Sequence, residues 1–381
     1  MTETLPARMK AVVLTGHGGP ETLEFHADWP RPEPGPGQVL MRVLACGLNN
    51  TDVNTRTGWY ARAVTGATGS GANAGIDEAA STWGGAGISF PRIQGADIAG
   101  RVVAAGPGAD AALIGRRVMV ETWLRDWNDP ANRDRCGYLG SEADGGFAEY
   151  CALDARQVHP IDCALSDAEL ATFATSWVTA ENMLNRAAVG AGDTVLITGA
   201  SGGVGSALIQ LANRRGARTV ALAGASKIEA VRALGPTAVL DRRVAEGGEL
   251  AGDLGGDLGG DLAGALEGAI GVRAVSVVAD VVGGPAFQPL IEVLERGGRY
   301  TVSGAIAGPM VGLDLRTLYL RDLVFTGATV VPPGTFADLV GYVARGEVRP
   351  VLAGTWPLEE LHAAQSAFVA KAHVGNLVVI P

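Results

Sequence analysis

Gly199, Ala200, Ser201, Gly202, Gly203, Val204 and Gly205 form a turn whose backbone can come close to a ligand. At such a turn the N–H groups of a helix start are free to meet the negative charge of a pyrophosphate. A bare glycine cluster is weak support for that chemistry and gains weight only inside a strand–turn–helix–strand frame. The frame is present here. Thr194 to Thr198 is an apolar, β-branched run, and Ala207 to Arg215 carries apolar residues at helical spacing. Gly216 ends that helix, and Thr219 to Ala223 is a second strand. A tight turn in some other α/β protein is the competing reading. Many NAD-binding frames place a carboxylate at the end of the second strand to hold the ribose 2′-OH. This chain continues Gly224, Ala225, Ser226, Lys227, with no carboxylate. A hydroxyl and a cation suit a 2′-phosphate, so NADPH is predicted over NADH. A solvated charge at a helix start is the alternative for Lys227.

A second chemistry-bearing stretch is Gly47 to Tyr60, GLNNTDVNTRTGWY, which directly follows a strand. Polar loops at strand ends are natural places for catalysis. The plainer reading is a solvated helix start capped by Asn50 or Thr51.

The elements that must position these residues follow from composition and periodicity. A chain of 381 residues suggests two domains, and 47% hydrophobic against 18% charged residues permits a sizeable core. Gly numbers 55, which favours many turns. A net charge of −10 argues against a nucleic-acid surface. No secretory leader is read at the start, and no stretch of about 18 apolar residues predicts a membrane span. Cys46, Cys136, Cys151 and Cys163 show no paired spacing and read as reduced thiols of a cytoplasmic protein.

Short strands with Pro/Gly turns (9–15, 23–25, 38–46, 94–103, 116–122, 145–153, 158–160) predict a small β-barrel. Residues 61–90, rich in Gly, Ala, Ser and Thr, read as a flexible insertion; Trp83 and Phe90 leave a lid or a tail equally open. Ser166 to Ala188 reads as one helix, with Ser166 and Glu169 forming a capping box. From Thr194 onward strands and helices alternate as in a doubly wound parallel sheet: strands 238–241, 276–282, 298–303 and 323–330, and a helix 285–294. Helices 336–345 and 358–369 and a strand, Asn376 to Ile380, are expected to rejoin the first domain. The Gly-Asp-Leu repeat of residues 251–264 carries too much glycine for a stable helix, at about 1 kcal/mol per Gly relative to Ala, and reads as a surface expansion without a catalytic role.

These segments together resemble a known family. MKAVVLTGHGGPETLEF, PGPGQVLMRVLACGLNNTDVNTRTGWY, QGADIAGRVVAAG, GGFAEY, VLITGASGGVGSALIQLA and VVADVVGG are similar to a medium-chain dehydrogenase/reductase of the quinone oxidoreductase (zeta-crystallin-like) branch. The resemblance covers nearly the whole chain; the long insertion between Tyr60 and Gln94 departs from it. It implies an α/β protein with a GroES-like β-barrel catalytic domain (1–160, completed by 331–381), a Rossmann NADP-binding domain (161–330), and an active site in the cleft between them. It implies that Asn49 lies by the nicotinamide and the substrate carbonyl, that Asp52 orders the loop, and that Tyr60 borders the substrate pocket. Where some relatives have a tyrosine this chain has Asn54. Thr179 matches a nicotinamide contact, Arg242 a position facing the 2′-phosphate, and Ser303 and Gly304 complete the expected cofactor set.

Zinc-dependent relatives have a Cys at the position of Cys46, a His-Glu pair at Ala96-Asp97, and a further Cys near Thr175. Three ligands cannot be assembled from these residues, so no zinc is expected and Cys46 reads as a small buried residue. Without a Lewis acid, transfer of hydride to a quinone or an α,β-unsaturated carbonyl is favoured over reduction of an ordinary ketone. The alternatives are an alcohol or aldehyde dehydrogenase and a non-catalytic NADPH-binding protein. For an enoyl thioester of coenzyme A, Arg62, Arg92 and Arg125 are available to bind phosphates. The resemblance also implies a homodimer through the Rossmann sheet edge near Leu323 to Val330, with no nucleic-acid or membrane partner.

Overall fold

The computed structural model describes residues 5–68, 87–245 and 261–381. They form two units: residues 5–64, 87–175 and 332–381, and residues 65–68, 176–245 and 261–331.

The first unit is built on strands. β1 (Arg8–Leu14), β2 (Leu23–Pro30) and β4 (Arg92–Ile93) make a three-stranded antiparallel sheet, with β3 (Gln38–Gly47) between them in sequence. β2 runs well past the expected Phe25 because its whole length pairs with β1. α1 (Asn50–Thr57) follows β3 at once. The chain continues through β5 (Asp97–Ala105), β6 (Arg117–Val120), β7 (Trp123–Arg125), β8 (Cys136–Tyr138), β9 (Tyr150–Asp154) and β10 (Val158–Pro160).

The expected helix over 166–188 is two helices, α2 (Asp167–Leu170) and α3 (Ala174–Arg186). Ser166 and Glu169 do form the capping box of α2. The break has a physical cause. Asp97 on β5 accepts the backbone N–H of Thr175 at 2.7 Å and so satisfies one of the orphan donors at the start of α3. Residues 161–175 go with the first unit because Arg117 on β6 holds them. Its guanidinium donates to Asp167 and to the Leu165 carbonyl, both at 2.6 Å.

The second unit is a six-stranded parallel sheet with helical crossovers. Its elements are β11 (Thr194–Ile197), α4 (Gly203–Arg214), β12 (Arg218–Ala223), α5 (Ile228–Arg232), β13 (Ala238–Asp241), α6 (Leu262–Ile270), β14 (Val275–Asp280), α7 (Phe287–Glu292), β15 (Leu294–Val302), α8 (Leu315–Tyr319) and β16 (Val324–Gly327). The strand order β13-β12-β11-β14-β15-β16 reverses direction between β11 and β14. Leu196, Val220, Val278, Leu290 and Leu294 are fully buried in its core, each worth roughly 1.5–3 kcal/mol. α4 begins four residues earlier than its apolar spacing suggested, at Gly203, because Gly202 is its N-cap. The helix expected over 285–294 is shorter, since Leu294 already belongs to β15. Of the Gly-Asp-Leu repeat, residues 251–260 lie outside the described residues. Asp261 accepts the Gly264 N–H at 2.7 Å and caps α6, so the end of the repeat starts a helix.

The chain then returns to the first unit with α9 (Thr335–Ala344), β17 (Leu352–Pro357), α10 (Leu361–Ala370) and β18 (Asn376–Ile380). β18 slots between β3 and β17 and completes a sheet of order β10-β6-β5-β3-β18-β17, with β9 also pairing β3. Among the described residues no helix is long and apolar enough to cross a membrane.

Candidate functional site

In the first unit the end of β3 runs straight into α1, and the turn between them carries Asn49. Asn49, rather than Asn50 or Thr51, is the N-cap. Its backbone N–H donates to Asp52 Oδ2 at 2.7 Å, which ties the helix start together. The Gln94 side chain donates to the Asp52 carbonyl at 3.0 Å from β4's far side of the loop. Asp52 is buried, and burial pushes its carboxyl up to about 7, against the opposing pull of the Asn49 N–H. Tyr60 lies half-buried just past the helix. The Asn54 side chain hydrogen-bonds its hydroxyl, and burial raises the phenol well above its ordinary range. Tyr60 is therefore a neutral O–H group at any working pH. Lys371 donates to the Asn50 side chain at 2.9 Å, a support from α10 that no local sequence signal announces.

The positions that hold zinc in related enzymes are chemically different here. Cys46 is fully buried, and burial with the charges of Asp52 and Asp97 holds its thiol well above the ordinary value. Ala96 offers no donor atom. Thr175 donates its hydroxyl to the same Asp97 oxygen that accepts its N–H, and with that proton spent the Tyr138 hydroxyl donates to Thr175 Oγ1 at 2.6 Å. Asp97 is pushed up to about 6, burial outweighing the hydrogen bonds from Thr175 and from the Asn49 side chain. Among the described residues no group of three or more His, Cys, Asp or Glu could hold a metal ion. The donor set does not fit a catalytic zinc. The Asp97–Thr175–Tyr138 chain was legible only in part, because Asp97 sits in the QGADIAG segment but its partners lie far along the sequence.

Arg92 and Arg125 are committed elsewhere, contrary to the expectation that they are available for phosphates. Arg92 pairs with Asp144 at 2.8 Å and donates to Ser89. Arg125 is buried against Glu121. Both hold the unit's own loops, and Arg62 remains exposed. Phe90 packs edge-on against His17 at 5.1 Å; Trp83 lies outside the described residues.

In the second unit the glycine-rich turn joins β11 to α4. Gly199 takes a left-handed φ of 56°, which glycine adopts without a Cβ penalty. A side chain at Gly205 would lie 2.3 Å from the Gly199 carbonyl, so the first turn of α4 packs directly on the loop. Ala200, Ser201 and Val204 lie within this turn and the start of α4. No side chain caps α4, whose N-cap is Gly202. A helix start of this kind, backed by a close glycine turn, suits a pyrophosphate.

Ser226 and Lys227 lie in the short 3-10 turn after β12, and Arg242 begins the one after β13. Burial lowers the Lys227 ammonium, and the positive charge of Arg242 lowers it further. The two cations are thus near enough to repel each other, an arrangement that a shared anion relieves. Asp241, the nearest carboxylate in sequence, is engaged by Arg243 at 2.8 Å. Ser303 donates its hydroxyl to the Ala328 carbonyl at 2.5 Å and its backbone N–H to the Asp280 carbonyl at 3.2 Å, which fixes the turn that carries Gly304. Thr179 is half-buried on α3, and no hydrogen bond joins it to the glycine turn among the described residues.

Two family models match the chain: an alcohol dehydrogenase GroES-like domain over residues 35–163 and a zinc-binding dehydrogenase domain over residues 203–345. A solved structure from Sinorhizobium meliloti 1021, assigned provisionally as an alcohol dehydrogenase, is 45% identical, with a TM-score of 0.87 over 100% of this chain and 98% of its own. An acryloyl-coenzyme A reductase of Metallosphaera sedula is 26% identical over 97% of this chain and 99% of its own length. A quinone oxidoreductase of Homo sapiens is 24% identical over 98% of each. On this fold, these two nucleotide-turn and polar-loop sites, and these matches, the chain belongs to the medium-chain dehydrogenase/reductase superfamily, on its quinone oxidoreductase-like branch.

Proposed function

We propose that the protein is a zinc-independent, NADPH-dependent reductase of quinones or of α,β-unsaturated carbonyl compounds, with enoyl thioesters among the candidates. The observation that carries this reading is the replacement of the metal-ligand positions by the Asp97–Thr175–Tyr138 hydrogen-bond chain. Bound NADPH supplies a hydride. The residues that would hold it are the 199–205 turn at the pyrophosphate, Ser226, Lys227 and Arg242 at the 2′-phosphate, and Ser303, Gly304 and Thr179 further along. With no Lewis acid in reach, the substrate must spread its developing negative charge onto an oxygen that hydrogen-bond donors can hold. Asn49 is the donor proposed for that oxygen, Asp52 holds the loop that presents it, and Tyr60 borders the substrate with a neutral hydroxyl. The two related reductases, named for acryloyl-coenzyme A and quinone, support this substrate class.

The alcohol dehydrogenase assignment of the Sinorhizobium relative supports a second reading, oxidation of an alcohol. NADPH oxidation with a panel of quinones, enones and enoyl-coenzyme A esters, set beside NADP⁺ reduction with alcohols, separates the two. We expect turnover in the first set only, and loss of well over threefold in kcat/KM for Asn49→Ala, more than about 0.7 kcal/mol of transition-state stabilisation. Turnover confined to alcohols would sink the reading, and NADPH binding without turnover in either set would leave a non-catalytic binding protein.

The working form is proposed to be a homodimer in the cytoplasm. Among the described residues β16 is an edge of the six-stranded sheet, and Val324 on it with Leu315, Tyr319 and Leu320 just before it in sequence are half or more exposed. Apolar surface of this extent next to a free edge is a typical place for a second copy. Light scattering is expected to give twice the chain mass, and Val324→Asp to give a monomer. None of the four cysteines is in a disulfide, as suits a reducing compartment.

A further inference from the structure

The VVADVVGG segment has so far been given no part in the site. Its carboxylate, Asp280, is fully buried at the end of β14 and forms no ion pair among the described residues. Its charge is instead met by hydrogen bonds from three directions. Thr198, the last residue before the glycine turn, donates its hydroxyl to Oδ1 at 2.6 Å. The backbone N–H groups of Val282 and Gly283 donate at 2.8 and 3.2 Å. The Tyr300 hydroxyl on β15 donates to Oδ2 at 2.5 Å. Thr198 Oγ1 in turn accepts the Val281 N–H at 3.0 Å.

These partners sit at the carboxyl ends of β11, β14 and β15, three adjacent strands that include the point where the strand order reverses. In doubly wound sheets ligands bind at that point. The turn that Asp280 fixes is pressed against the glycine turn: a side chain at Gly199 would lie 2.8 Å from a Val281 methyl. It also carries the next turn, since the Val282 carbonyl accepts the Ala307 N–H at 2.8 Å and Gly304 packs against the Val281 carbonyl.

We propose that Asp280 is the positioning residue of the dinucleotide site, setting the spacing between the 199–205 turn and the two turns, 281–284 and 303–308, that flank it. The proposal rests on the reading that this site holds NADPH. Only an acceptor at both oxygens serves all these donors. Asparagine would either set its NH₂ group against the N–H groups of Val282 and Gly283, donor facing donor, or turn it to the Tyr300 oxygen and leave the hydroxyl proton without its acceptor; either is costly when buried. The glycine turn would then lose its fixed distance from its neighbours while keeping every residue that touches the cofactor.

The test is the NADPH Kd of the full-length protein, read by nicotinamide fluorescence below the melting transition, with folding checked by circular dichroism. Asp280→Asn is expected to bind about tenfold more weakly or worse, Tyr300→Phe and Thr198→Val about threefold to tenfold, and Thr198→Ser close to wild type; each loss is a fraction of the worth of one hydrogen bond to a charged group, because these residues act on the cofactor only through the turns. Selectivity for NADPH over NADH should stay constant, because the 2′-phosphate residues are untouched, and kcat at saturating NADPH should change little. If Asp280→Asn does not fold, the Tyr300 and Thr198 variants decide. Folded variants that bind NADPH as wild type does overturn the proposal, as does a fall in kcat with Kd unchanged. A wild-type protein that binds neither dinucleotide overturns the functional reading and this proposal with it.

Discussion

Replacing Lys227 and Arg242 together by alanine is expected to raise the KM for NADPH about a hundredfold or more while leaving that for NADH within a few-fold. The reasoning is electrostatic. The second strand of the nucleotide frame ends without a carboxylate, and two cations follow β12 and β13; burial and then the charge of Arg242 lower the proton affinity of the Lys227 ammonium. A 2′-phosphate placed there turns that repulsion into two charge-assisted contacts, each worth about 1.5–3 kcal/mol, or roughly ten- to a hundredfold in affinity. NADH lacks the phosphate and gains nothing from either residue. Steady-state kinetics with both cofactors measures the effect, and the salt dependence should fall in parallel, since exposed charges are screened. A double variant that keeps its preference for NADPH would show that the phosphate is recognised elsewhere.

The protein is expected to lose stability as the pH rises from about 4 to 7. Burial raises Asp97 to about 6 and Asp52 to about 7 in the folded state. Both carboxyls titrate near 4 in an unfolded chain. The folded protein therefore binds more protons than the unfolded chain between those values. The stability that these two groups contribute is fully present below about pH 4, and it is lost as the pH climbs through 6 and 7. The loss is on the order of a few kcal/mol for the pair. Denaturant unfolding at a series of pH values checks it. Asp52→Asn and Asp97→Asn should each flatten the slope, even though Asp97→Asn also weakens the cap of α3 and lowers stability at every pH. A slope that survives both substitutions would place its origin in other groups.

Much of this site was readable from local pattern, and the exceptions share a cause. The glycine turn, the strand over 376–380 and the capping box at Ser166 are each specified by residues within a few positions of one another, so periodicity and capping chemistry find them. The break between α2 and α3 is imposed by Asp97, a carboxylate on another element, and nothing in residues 166–188 announces it. The same is true of Arg92 and Arg125, which look like free cations until Asp144 and Glu121 are placed beside them. The full extent of β2 depends on its partner β1. Asp280 is the sharpest case. Its segment stood out in sequence, but its meaning comes from Thr198 and Tyr300, which the sheet brings together across three strands. Local pattern marks the glycine turn and the helix caps, and long-range pairing decides which residues hold them in place.

The placement of β18 between β3 and β17 also orders events during synthesis. β3 has emerged from the ribosome long before residues 376–380 exist, and the Leu48 N–H just past its end waits for the Leu377 carbonyl. At roughly 5–20 residues per second the delay is on the order of 15–65 seconds. The parallel sheet of the second unit needs only residues that emerge within that interval, so it can close while the first unit still presents an open edge at the end of β3, past the stretch that β9 pairs. That edge is a standing opportunity for wrong pairing. Until the final segment arrives, the exposed strand end is the one that carries Cys46 and leads into the Asn49 turn.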